Sequence, residues 1–219
     1  MILVPSRGRR EGLERFFSVS RPSVVGRVLV DDDDPSYDGM TLPENWAFFR
    51  RPRAKTTHII NRAFEAYPEQ DFYAVVGDDM DCSPDGWDVE LSRDAMPNFV
   101  SWGDDGRWGS KLCPSFFIGG DLVRRMGWIV HPSFGHLYGD TVWWMIASGA
   151  RLGHYRPDIR MIHNNQKDKT YQQRQTAGDH EAFEKLRQSG MSDLIRKARE
   201  LADEKMAKQN ARHPVHHAG

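Results

Sequence analysis

The segment Phe72-Tyr73-Ala74-Val75-Val76 is apolar throughout and stops abruptly at Gly77-Asp78-Asp79-Met80-Asp81. An apolar run of that length without polar alternation reads as a strand buried on both faces, as in sheets covered by helices on each side. The first half of the chain supplies its partners. Ile2 to Pro5 and Arg27 to Val30 read as buried strands, and Trp46 to Phe49 as a third. Leu13, Phe16 and Phe17 recur at helical spacing. Ile59, Ile60, Ala63, Phe64 and Tyr67 mark one face of a second helix, which Thr56 or Thr57 caps and Pro68 ends. Strands alternating with helices predict an α/β domain with a mainly parallel central sheet flanked by helices.

The second half is less regular. Phe99 to Trp102 and Ser115 to Ile118 read as strands, and Asp121 to Met126 as a short helix closed by Gly127. Asp140 opens a helix over Thr141 to Ser148 that Gly149 closes, and Ile159 to His163 is a last strand. Two terminal helices follow, over about 179 to 189 and 193 to 208, separated at Gly190 with Ser192 as cap. With 39% of 219 residues hydrophobic, the chain holds material for one core, so residues 1–210 are expected to form a single domain and 211–219 a flexible tail.

Thirty Lys and Arg against 31 Asp and Glu give no overall charge argument for a nucleic-acid coat or a membrane-surface binder. No stretch approaches the ~18 apolar residues of a membrane span, which leads to the expectation of a soluble, unsecreted protein. Cys82 and Cys113 lack any metal-ligand spacing and fit a reducing cytosol. Charge is instead arranged in blocks. Residues 71–106 carry ten acids and a single base, Arg93, whereas residues 1–30 carry six arginines against Glu11 and Glu14. A polyanion held between such blocks, with a cation on the acidic side, is the natural ligand.

Ligands of such sheets bind beyond the carboxyl ends of the strands, where both acidic runs lie. The period-two geometry of an extended chain sends Asp79 and Asp81 to one side, and two carboxylates there attract a hard cation such as Mn2+ or Mg2+. A solvated acidic turn is the alternative. Asp31 and Asp32, at the end of another strand, either accept hydrogen bonds from a base or ribose or form a solvated turn into Pro35. In Pro5-Ser6-Arg7-Gly8-Arg9-Arg10 the glycine permits close backbone approach and the arginines can grip phosphate. Asp140 is either a helix cap or a general base, and His163 either a structural hydrogen-bonding residue or a ligand.

Taken in order, Ile2 to Arg9, Val30-Asp31-Asp32, Gly77 to Asp81, Phe117-Ile118-Gly119-Gly120-Asp121 with Gly127-Trp128, Tyr138 to Trp143 and His163 resemble a GT-A fold glycosyltransferase of the family 2 group. The resemblance covers about residues 1–170. It implies a nucleotide-sugar half over about 1–82 and an acceptor half over about 83–170. It also implies a nucleotide contacted by Pro5, Arg7, Arg10, Asp31, Asp32 and Asp79, and a Mn2+ or Mg2+ ion held by Asp79, Asp81 and His163. Asp140 matches the acid of a Glu-Asp catalytic motif, although Gly139 stands where the Glu is expected. The implied reaction is inverting transfer of a sugar from a nucleotide diphosphate, a UDP-sugar on this reading, to an acceptor hydroxyl. The cation would stabilise the leaving diphosphate.

The chain is similar to compact phage-encoded enzymes, some of which glycosylate 5-hydroxymethylpyrimidines in DNA, which implies action in the cytoplasm of an infected host. That acceptor draws on Arg50, Arg51, Arg53, the basic terminal helix, and Trp87, Trp102, Trp108 and Trp128 as stacking candidates. A glycan or protein acceptor, a nucleotidyltransferase, a metal-dependent phosphohydrolase or nuclease, and a silent nucleotide-sugar or DNA-binding module are the rival readings.

Overall fold

The computed structural model describes residues 1–164, 176 and 178–212, apart from the side chains of 209–212. The described elements are β1 (Ile2–Pro5), α1 (Arg10–Ser20), β2 (Gly26–Asp31), β3 (Trp46–Arg51), α2 (Thr56–Ala66), β4 (Phe72–Val75), β5 (Met80–Ser83) and α3 (Trp87–Ala95). They continue with β6 (Val100–Asp104), β7 (Phe116–Gly119), α4 (Gly120–Met126), α5 (Gly139–Ala150), β8 (Gly153–His163), α6 (Asp179–Ser189) and α7 (Met191–Arg212). The strands form one eight-stranded sheet in the order β3-β2-β1-β4-β7-β6-β8-β5. Strand β1 pairs in parallel with β2 and β4, β2 with β3, and β6 with β8, while β7 runs antiparallel to β4 and β6, and β5 to β8.

Side-chain alternation in the central strands explains why helices lie on both faces. Leu3, Leu29, Tyr73, Phe116 and Ile118 enter one core with residues of α2, α4, α5, α6 and α7. Ile2, Val4, Val28, Val30, Ala74 and Phe117 enter the other, with Leu13 and Phe16 of α1 and Trp87 and Leu91 of α3. The expected α/β architecture is therefore present. No described helix is long and apolar enough to cross a membrane.

Several expected boundaries differ. Lys55, not a threonine, precedes α2, and no side chain caps it. Helix α5 starts at Gly139 and continues through Gly149 to a left-handed Arg151, because hydrogen bonds from that residue close the end without glycine. Helix α7 begins at Met191, so Ser192 lies inside its first turn, and it runs to Arg212. Residues 213–219 of the expected tail lie outside the described residues. Strand β5 and helix α3 have no counterpart in the sequence reading.

The strand order reverses between β1 and β4, so their carboxyl ends open a crevice at a topological switch point. Beside it, the Gly119-Gly120 pair joins β7 to α4 where two backbone segments press close. A Cβ on Gly120 would lie 1.9 Å from the Gln70 carbonyl oxygen, and one on Gly119 2.2 Å from that of Pro97. The Gly120 amide also donates to the Asp71 carbonyl at 2.7 Å, so the backbone cannot retreat. The pair is thus a packing requirement. Gly120→Ala is expected to cost about 3 kcal/mol or prevent folding, whereas Gly12→Ala, with 3.5 Å to its nearest neighbour, should keep a near-normal denaturant midpoint.

Candidate functional site

The crevice is organised around Asp78, a carboxylate only 2% exposed that follows β4. Ser6, immediately after β1, donates its hydroxyl to Asp78 at 2.6 Å and lies 2.6 Å from the Tyr37 hydroxyl. With the serine proton committed to Asp78, Tyr37 is the donor to Ser6, and it accepts in turn from the Arg9 amide at 3.1 Å. The Arg9 guanidinium closes the circuit with contacts of 2.8 Å to Asp78 and 3.0 Å to Asp79. Burial pushes the Tyr37 phenol above its usual range, keeping it protonated for this relay.

Asp79 occupies the turn before β5 and meets His163, the last residue of β8, at 2.9 Å. The register that places His163 opposite Met80, and an Asn164 amide bond to the Asp79 carbonyl, fix this encounter. Burial alone would raise the Asp79 carboxyl. The hydrogen bond and charge of His163, with those of Arg9, outweigh burial and hold it at about 2. Asp79 is therefore a carboxylate at any physiological pH.

Asp81 does not join this pair. It lies within β5 while Asp79 is still in the turn, so the two-residue alternation does not extend across both, and Asp81 pairs instead with Arg15 of α1. Its Oδ1 is buried without a partner among the described residues. Among those residues no three His, Cys, Asp or Glu side chains converge as a metal cage. Of the expected set Asp79, Asp81 and His163, only Asp79 and His163 are in contact, while Asp81 shares with Asp79, Arg9 and Arg10 a separate cleft of about 450 Å³.

On the β2 side, a cleft of about 150 Å³ is lined by Pro5, Arg7, Arg9, Asp31, Lys55 and His136 among others. Arg7 grips Asp31 through Nε at 2.5 Å and a second nitrogen at 3.1 Å, and also donates to the Ala54 carbonyl at 3.0 Å. Pro5, Arg7 and Asp31 are thus brought together as expected. Arg10 and Asp32 are not. Arg10 begins α1, bonds to Glu14 at 2.8 Å and the Asp38 carbonyl, and lines instead the cleft of Asp79 and Asp81. Asp32 is exposed and lines none of the three clefts, because the chain leaves the sheet after Asp31.

A larger cavity of about 300 Å³ brings Asp79 and His163 together with Asp140, His136 and Tyr138. Asp140 sits in the first turn of α5, after Tyr138 in the cap position. Its Oδ1 accepts from the Thr141 amide at 2.7 Å and hydroxyl at 3.2 Å. Burial raises its carboxyl against those bonds and one from its own backbone amide. Of the aromatic stacking candidates, Trp87, Trp102 and Trp128 are core residues, and only Trp108, 46% exposed with Arg107 over its ring, reaches the surface.

Sequence reading placed Arg9 among the phosphate-gripping arginines without singling it out, because nothing in the run Arg7 to Arg10 says which of them lines all three clefts. It missed His136 and the structural role of Asp78, although the third acid in the run was a visible signal.

No family model and no curated protein matches this chain. Among solved structures, the mannosyltransferase PcManGT from Pyrobaculum calidifontis, in complex with GDP-Man and Mn2+, has a TM-score of 0.65 at 12% identity, over 90% of this chain and 68% of its own. GalNAc-T7 with UDP, GalNAc and Mn2+ has a TM-score of 0.55 at 9% identity, over 74% of this chain and 42% of its own. At such identities the likeness establishes the architecture: the chain has the α/β fold of these two transferases.

Proposed function

We propose that the protein is a glycosyltransferase that uses a nucleotide-sugar donor. The observation that carries this reading is the shared cavity in which the Asp79 and His163 pair and the Asp140 carboxylate face one space, next to the cleft of Arg7 and Asp31. The nucleotide lies in that cleft, with Asp31 and Arg7 at the base and ribose and Arg9 and Lys55 near the diphosphate. Both similar structures are complexes with Mn2+ and a nucleotide or nucleotide sugar, which supports the same donor class here.

The donor set fits a divalent cation in part. A permanently ionised carboxylate oxygen and an imidazole nitrogen 2.9 Å apart suit two positions on Mn2+ or Mg2+, with diphosphate and water supplying the others, and do not suit a closed protein cage. When bound, the cation would supply charge stabilisation for the leaving diphosphate. Asp79 and His163 hold that position, and Arg9 adds positive charge beside it. Asp140 takes the proton of the acceptor hydroxyl, consistent with direct displacement and inversion. A nucleotidyltransferase is the second reading and would share the donor cleft but not need Asp140.

The acceptor proposed is a 5-hydroxymethylated pyrimidine in phage DNA, which places the enzyme in the cytoplasm of an infected host. Exposed Trp108 with Arg107 supports it as a stacking platform beside a cation, and a glycan or protein is the alternative acceptor. Mass spectrometry after incubation with a nucleotide-sugar panel, hydroxymethylated DNA and free glycans tests donor and acceptor together. A hexose or pentose mass added to DNA supports the proposal, while product found only on glycans moves the acceptor elsewhere.

UDP or GDP with Mn2+ is expected to raise the Tm by mass-action linkage. Asp79→Ala and His163→Ala should lose the metal-dependent part of that rise, and Asp81→Ala should keep most of it. Equal loss in all three would restore Asp81 to the ligand set.

Asp140→Asn is expected to lower kcat about 10²-fold with little change in donor KM. Because burial raises this carboxyl, its base form is lost as pH falls. The wild-type kcat should therefore decline on the acid side with an apparent pKa above the ordinary ~4, a limb that the variant lacks. A variant with wild-type kcat would exclude Asp140 as base.

A further inference from the structure

The loop that leads into Asp140 is held from outside the sheet by α6. Asp179, in the first turn of α6 and only 2% exposed, accepts three consecutive backbone amides: Gly135 at 2.7 Å, His136 at 2.9 Å and Leu137 at 2.9 Å. Two further α6 residues seize the next position. The Tyr138 ring stacks on Phe183 at 4.4 Å and 6°, and its hydroxyl lies 3.0 Å from His180 Nδ1. Tyr138 needs this support, since it is a non-glycine residue at φ 68°, a conformation that costs about 1 kcal/mol or more. On its other side the loop meets α2, where the Gly135 carbonyl accepts from the Thr57 amide and His136 Nδ1 lies 3.0 Å from the Thr56 hydroxyl.

We propose that Asp179 is a positioning residue for sugar transfer, fixing residues 135–138 so that Asp140 and His136 face the cavity. The proposal rests on the glycosyltransferase reading above. A buried carboxylate that gathers three amides defines one backbone path, because rotating any peptide of the loop would strand an amide away from water. The backbone bonds, with the charge of Lys55, outweigh burial and keep the Asp179 carboxyl below its usual range, so the clamp persists at working pH. Helix α6 thus reaches the chemistry through the chain it holds, without touching substrate.

Asp179→Asn replaces one acceptor oxygen by a donor and should speed hydrogen exchange of the 135–137 amides about tenfold or more in the full chain. It should lower kcat about 30-fold. A double variant with Asp140→Asn should lose much less than the product of the two single losses, because the clamp acts largely through that residue. A merely structural role would make the two losses multiply. If Asp179→Asn does not fold, Phe183→Leu, which loosens the same loop through Tyr138, is read in its place, with a smaller fall of about fivefold and the same non-additivity. Unchanged exchange, or multiplicative losses, would overturn the proposal. A wild-type protein that transfers no sugar would overturn the functional reading instead, and the exchange measurement would still decide whether α6 holds the loop.

Discussion

Crowding three carboxylates into four residues at the end of a buried strand is unfavourable, and the neutralisation of Asp78, Asp79 and Asp81 by arginines of the first βα connection and of α1 is the interaction on which the site depends. Arg9 spans Asp78 and Asp79, and Arg15 takes Asp81. Removing one partner from such a buried pair costs more than the pair contributes, because the charge left behind stays desolvated. The arrangement therefore ties the end of β1 to the end of β4 across the point where the strand order reverses. The acids of this run consequently differ in role although they differ little in sequence. Asp78 is consumed by the fold, Asp79 faces the cavity, and Asp81 turns toward α1.

The architecture was legible because it follows from burial. Uninterrupted apolar strands and one-sided helices report which faces are covered, and those covered faces are the two cores described above. Strand β5 and helix α3 escaped because their segment is polar and acidic, and its helix is held by specific contacts. The Trp87 indole donates to the Ser20 carbonyl, and buried Asp88 accepts the Ser23 and Val24 amides. Neither contact leaves a periodic trace.

The candidate site was legible as residue types but not as side-chain directions, for a related reason. A motif names residue types, whereas a side chain's direction depends on where the strand or helix begins. One residue decides whether Asp81 lies in the turn or in β5, and whether Arg9 or Arg10 bridges Asp78 and Asp79. Asp179 left no signal, since an acid in the first turn of a helix ordinarily serves only the helix dipole. Its three amide partners lie more than forty residues away in sequence.

The Gly119-Gly120 pair carries a lesson about ancestry. Two backbones that pass within a hydrogen-bonded contact leave no room for a side chain, so any descendant that keeps this junction must keep the glycine, whatever sugar or acceptor it comes to use. Glycine identity at that junction records inheritance of an architecture. Divergence of substrate would be written in residues free to vary, such as those around exposed Trp108.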